Sequence, residues 1–106
     1  MKRLLLIVLP LLLIVGCSKP INEETLIEKD GLRYHPETKE LYSGEVFSLY
    51  MGGKKESELT YKDGKRDGLD TFWFENGQKK YEWTYKDGES ISQKCWYENG
   101  NEKECN

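Results

Sequence analysis

Aliphatic bulk is scarce in this sequence once its first sixteen residues are set apart: Leu, Ile, Val and Phe supply 13 of the 90 residues after Gly16. In a strongly charged chain so low a fraction accompanies disorder. Here the charge imbalance is mild, and 13 aromatic residues offer another source of buried area. Positive charge is also short. Without Lys2 and Arg3, 14 basic side chains face 19 acidic ones, a formal net charge of −5. Nucleic-acid binding needs basic surface to displace counterions, so no nucleic-acid partner is expected. Histidine occurs once, at His35 before Pro36, with no cysteine at ligand spacing, which argues against a metal site. Serine and cysteine nucleophiles would have only His35 as a base, and the glycines do not form a phosphate-cradling motif. Close carboxylate pairs occur, but a thin sheet seldom raises a carboxyl pKa as acid catalysis requires. The expectation is a non-enzyme, with no catalytic residue, metal or cofactor. No window joins helical period to a capping signal, so no helix is expected after the leader. Ninety residues suffice for one small domain.

The leader itself has a basic start, Lys2-Arg3, and an apolar run of twelve residues from Leu4 to Val15. As a helix that run spans roughly 18 Å, short of the ~30 Å hydrocarbon core of a bilayer, so residues 1–16 read as a signal peptide. Ile14-Val15-Gly16-Cys17 resembles a bacterial lipobox. That resemblance implies a diacylglycerol thioether on Cys17, cleavage after Gly16 and acylation of the new terminus, hence a membrane partner through the lipid anchor. A secretory signal followed by a chance cysteine is the competing reading. Several acyl chains, at ~0.8 kcal/mol per buried methylene, make such anchoring nearly permanent. The implied location is the bacterial cell envelope, and Ser18 after the cysteine implies the outer membrane in a Gram-negative cell. Residues 17–24 then read as the lipidated cysteine and a tether with a reach on the order of 15 Å, and residues 25–106 as the domain.

Within that domain, glycine pairs mark the chain: Asp30-Gly31, Gly52-Gly53, Asp63-Gly64, Asn76-Gly77, Asp87-Gly88 and Asn99-Gly100, at intervals of 22, 11, 13, 11 and 12. Asp-Gly and Asn-Gly suit tight hairpin turns with positive φ at both central positions. Aligned on these turns, the sequence repeats itself. Tyr61-Lys-Asp-Gly64 recurs at Tyr85 to Gly88, and Trp73-Phe-Glu-Asn-Gly77 recurs nearly unchanged at Trp96 to Gly100. Between turns the pattern has period two, with Tyr81, Trp83 and Tyr85 on one face and Lys80, Glu82, Thr84 and Lys86 on the other. The expected fold class is all-β: an antiparallel β-hairpin repeat forming an open single-layer meander, with strands near 45–51, 55–62, 69–75, 78–86 and 91–97. These motifs resemble the bacterial variant of the MORN repeat over roughly Gly31 to Gly100, the repeat of chains related to the YwqK-type antitoxin. The resemblance implies a protein-interaction module with an antitoxin or immunity role. Ser92 and Gly52 depart from the repeat's expected Gly and Asn.

Aromatic side chains are the candidate anchors for a protein partner, because they bury large areas at small rotamer cost. Trp73 and Trp96 hold equivalent repeat positions and, with their neighbours Phe74 and Tyr97, form the expected partner-binding set. Trp83, alternating with Tyr81 and Tyr85, is assigned to the core. Lys54-Lys55, Lys65-Arg66 and Lys79-Lys80 read as solubilising, edge-protecting charges rather than a ladder for lipid headgroups. Cys95 and Cys105 lie symmetrically about Gly100, so a hairpin there brings them within bridging distance; a disulfide and two free thiols both remain open. The alternative to a protein-interaction role is a structural or surface-coat lipoprotein without a single partner, or one that binds lipid headgroups or glycan.

Overall fold

The computed structural model describes residues 19–105; the expected signal peptide (1–16) and lipidation site Cys17 lie outside the described residues. The fold is all-β. Among the described residues ten strands follow in order: β1 (Ile21–Asn22), β2 (Ile27–Lys29), β3 (Leu32–Tyr34), β4 (Gly44–Leu49), β5 (Lys55–Lys62), β6 (Lys65–Arg66), β7 (Gly68–Trp73), β8 (Lys79–Lys86), β9 (Glu89–Trp96) and β10 (Glu102–Lys103). The main sheet has the order β1-β4-β5-β7-β8-β9-β10, with β6 beside β5, while β2 and β3 form a separate hairpin. From β4 onward every pairing is antiparallel. The five long strands agree with those expected to within two residues at each end.

The β4–β5 and β7–β8 hairpins share one register. Gly44 opposes Tyr61, Val46 opposes Leu59 and Leu49 opposes Lys55; one repeat further on, Gly68 opposes Tyr85, Asp70 opposes Trp83 and Trp73 opposes Lys79. Both carry a bulge at the matching position, between Ser48 and Leu49 and between Phe72 and Trp73. One extra residue there bends the ribbon and increases its twist.

The two turn sequences build different turns. At Asp63-Gly64 (φ 50° and 83°) and Asp87-Gly88 (φ 50° and 88°) both central residues have positive φ, the type I′ geometry that suits strand twist. At Asn76-Gly77 and Asn99-Gly100 only the glycine has positive φ, which corrects the expectation of one turn type for both. The reason is the asparagine side chain: Asn76 Oδ1 accepts from the Gln78 N–H and Asn99 Oδ1 from the Asn101 N–H, each at 2.9 Å, closing a wider loop.

The turns at Asp63-Gly64 and Asp87-Gly88 also rest on the chain one unit earlier. The Gly64 N–H donates to Tyr42 O and the Gly88 N–H to Arg66 O, both at 2.8 Å. Beside them Asp63 N–H donates to Ser43 Oγ (2.8 Å) and Asp87 N–H to Asp67 Oδ1 (3.1 Å). Gly64 has no room for a side chain, since a Cβ would lie 2.7 Å from Leu41 Cδ2 and 3.1 Å from Arg33 O.

Two features depart from expectation. Part of the tether is structure: Ile21 and Asn22 pair in parallel with Val46 and Phe47 of β4, and a single 3-10 turn follows at Glu23–Thr25, capped by Asn22. Residues 21–24, expected to belong to the tether, are therefore part of the folded domain. The fully buried core is also smaller than the aromatic content suggests. Val46, Leu59, Tyr42 and Tyr61 form it, with Ile21, Leu26 and Phe72 packed against them. It sits at the N-terminal end, where the segment before β4 supplies the covering side chains.

Candidate functional site

On the core side of the sheet a row of aromatic rings runs out from the buried cluster. Phe72 and Tyr81 have ring centroids 4.7 Å apart, Tyr81 and Trp83 6.0 Å, and Trp83 and Tyr85, nearly parallel at 13°, also 6.0 Å. Tyr81, Trp83 and Tyr85 alternate along β8, so all three share one face. Their partners on β9 are Cys95, Gln93 and Ser90, which offer little apolar cover. The rings therefore remain half-buried, on the face whose equivalents in β5, Ser57, Leu59 and Tyr61, are fully buried.

A charged pair closes the end of the row. The Arg66 guanidinium lies 5.1 Å from the Tyr85 ring centroid and donates from Nη1 to the Tyr85 hydroxyl at 3.0 Å. Its Nε is 3.4 Å from Asp70 Oδ2. Asp70 is completely buried, and its Oδ1 accepts from the Thr60 N–H at 3.3 Å. Burial pushes the Asp70 carboxyl up to about 6, against the opposing pull of Arg66 and the Thr60 N–H. Asp70 Oδ2 and Trp83 Nε1, on residues directly opposed across β7 and β8, are both buried without a hydrogen-bond partner. Arg66 and Asp70 stand one repeat after Tyr42 and Val46, so a unit that is apolar in one copy is ionic in the next. Arg66, read from the sequence as a solubilising, edge-protecting charge, is instead held against Asp70 and Tyr85; sequence reasoning missed Asp70, although that offset displays the exchange.

The expected partner-binding residues divide. Trp73 and Trp96, both half-buried, line one shallow depression of about 390 Å³ together with Gly77, Gln78, Lys79 and Gly100. Lys79 ties it together, with Nζ 5.5 Å from the Trp96 centroid and an ion pair to Glu82. Phe74 and Tyr97 do not line that depression. Each sits under a lysine instead, Lys80 Nζ at 5.6 Å from Phe74 and Lys103 Nζ at 5.2 Å from Tyr97. The Asn76 Nδ2 donates to Glu98 O at 3.0 Å, holding the two tips together. The other basic residues singled out in the sequence are largely engaged: Lys55 pairs with Glu58, and Lys54 Nζ reaches Glu75 O at 3.4 Å.

Cys95 and Cys105 are joined by a disulfide, their Cα atoms 5.4 Å apart, which fastens the chain after β10 to the end of β9. His35 is half-buried in its loop, and its Nδ1 accepts from the Glu37 N–H at 3.0 Å, so that nitrogen organises the turn. Among the described residues, no three His, Cys, Asp or Glu side chains gather as a metal would require. No helix among them is long and apolar enough to cross a membrane. No protein-family model, curated protein or solved structure matches the chain.

Proposed function

We propose that this chain is an envelope lipoprotein, anchored through Cys17, whose β-domain is a non-enzymatic protein-binding module, with neutralisation of a toxin-like partner as the specific form of that role. The observation that carries the binding role is the aromatic row of Tyr81, Trp83 and Tyr85. It presents flat, partly exposed rings ending on the arginine Arg66, the residue types that dominate binding energy at protein interfaces. An open sheet with shallow depressions suits a macromolecular surface better than a small molecule, which needs a concave site. The depression between Trp73 and Trp96 supports a second contact area on the same partner.

Affinity capture from envelope extracts, comparing wild type with Trp83→Ala, Tyr85→Ala and a Trp73→Ala/Trp96→Ala pair, tests this reading. The expected result is one protein, retained by wild type and lost with Trp83→Ala and Tyr85→Ala while cooperative denaturant unfolding and amide-exchange protection of β4 and β5 show the fold intact. Capture that is indifferent to all three changes would overturn it.

A further inference from the structure

A trough of about 370 Å³ lies along β4, where Lys19, Lys55, Glu45 and Glu58 surround Phe47 and Leu49. Glu45, Phe47 and Leu49 alternate with buried Val46, so their side chains belong to the face away from the core. Leu49 is 44% exposed, and Met51 in the turn beyond it is fully exposed. Two lysines and two glutamates leave the lining electrically balanced.

The chain also fixes how far this trough can stray from the anchor. Ile21 is locked in register against Val46. Four residue steps lead back from Ile21 to Cys17, and at roughly 3.6 Å per step the two Cα atoms are separated by at most about 14 Å. That distance is less than half the ~30 Å hydrocarbon thickness of a bilayer. We propose that, with Cys17 acylated, the β1–β4 edge lies on the lipid surface and the apolar side chains of the trough, Phe47 and Leu49, contact the bilayer. This rests on the lipoprotein reading above and adds an orientation to it. With balanced charge, the contact is apolar and does not require anionic lipid. Strand β9, four strand spacings or roughly 19 Å from β4, stays clear of the membrane.

The test uses the full acylated protein in phosphatidylcholine vesicles carrying a spin-labelled lipid that quenches fluorescence near the headgroups. With Cys17 acylated and Cys95 bonded to Cys105, Leu49→Cys and Ile91→Cys each add one free thiol for a fluorophore, at exposed positions on β4 and β9. Met51→Cys replaces the first probe should Leu49→Cys not fold. Quenching several-fold stronger at residue 49 than at residue 91, unchanged when phosphatidylglycerol partly replaces phosphatidylcholine, is the expected result. Equal quenching at both sites, or none at residue 49, in protein whose mass includes the acyl groups overturns the lipid-facing surface and leaves the anchor standing. A mass without acyl groups overturns the anchor reading, and the surface with it.

Discussion

The β4–β5 and β7–β8 hairpins have the same register, the same bulge and equivalent turns, yet one is a core and the other an open surface. In the first, Val46 and Leu59 oppose each other at 0% and 1% exposure. In the second the opposed pair is Asp70 and Trp83, where the carboxylate is fully buried and the indole only half so. Register decides which face a side chain occupies, but not whether anything covers that face. Cover comes from Ile21 and Leu26, which precede the repeat, and from Tyr42, whose place in the next unit is taken by Arg66, and it reaches the first hairpin only. Along Tyr81, Trp83 and Tyr85 the neighbours are Phe72 at one end and the Arg66 guanidinium at the other, and the rings stay partly exposed.

Truncating the two hairpins should separate them most. Leu59→Ala removes a buried side chain from a small core and should cost about 2 to 5 kcal/mol, read as a fall in the denaturant midpoint. An indifferent Leu59→Ala would show that the first hairpin is not the core. Reducing the disulfide, or Cys95→Ser, should cost about 2 to 3 kcal/mol, with increased amide exchange confined to β9 and β10. Spread of that exchange into β4 and β5 would contradict a locally fastened terminus.

Asp70 sharpens the contrast through pH. Its folded-state value of about 6 stands above the ordinary value of 3.8, so the folded protein binds more protons between those values. Stability from this residue is therefore full below about 3.8 and declines as pH rises through about 6. Subtracting the melting curves of Asp70→Asn from those of wild type should isolate a slope over that interval, about 3 kcal/mol in all. A difference that stays flat would place Asp70 in water. The smallest stability effect is expected of Trp83→Ala, about 2 kcal/mol, because the ring is only partly buried and the figure for a fully buried tryptophan does not apply. A loss as large as that of Leu59→Ala would mean that the second hairpin is core after all.

Much of the fold is legible in the sequence, because period-two alternation in Lys80 to Lys86 and the glycine-marked turns act within a few residues of each other. Strand β1 is not legible: Ile21-Asn22 follows a proline and is too short to show any period. The site is harder still. In Gly68-Leu-Asp-Thr-Phe-Trp73 the polarity is inverted, with Leu69 half exposed and Asp70 buried, so hydropathy assigns the faces backwards. Only the pairing of Asp70 with Trp83 corrects it. Trp73 and Trp96 are legible because their spacing equals the repeat, whereas the arginine over Tyr85 depends on a contact between residues 19 apart.

The bonds from Gly64 and Gly88 back to Tyr42 and Arg66 give the ribbon a direction in time as well as in space. Each acceptor precedes its donor by nearly one full repeat, so a chain emerging amino-terminus first always has the seat for the next turn in place before that turn arrives. Assembly can then proceed one unit at a time, each closing only a short loop, and such local contacts speed the folding of a sheet. Loss of structure should run in reverse, because the last unit supplies no seat to any described residue after it.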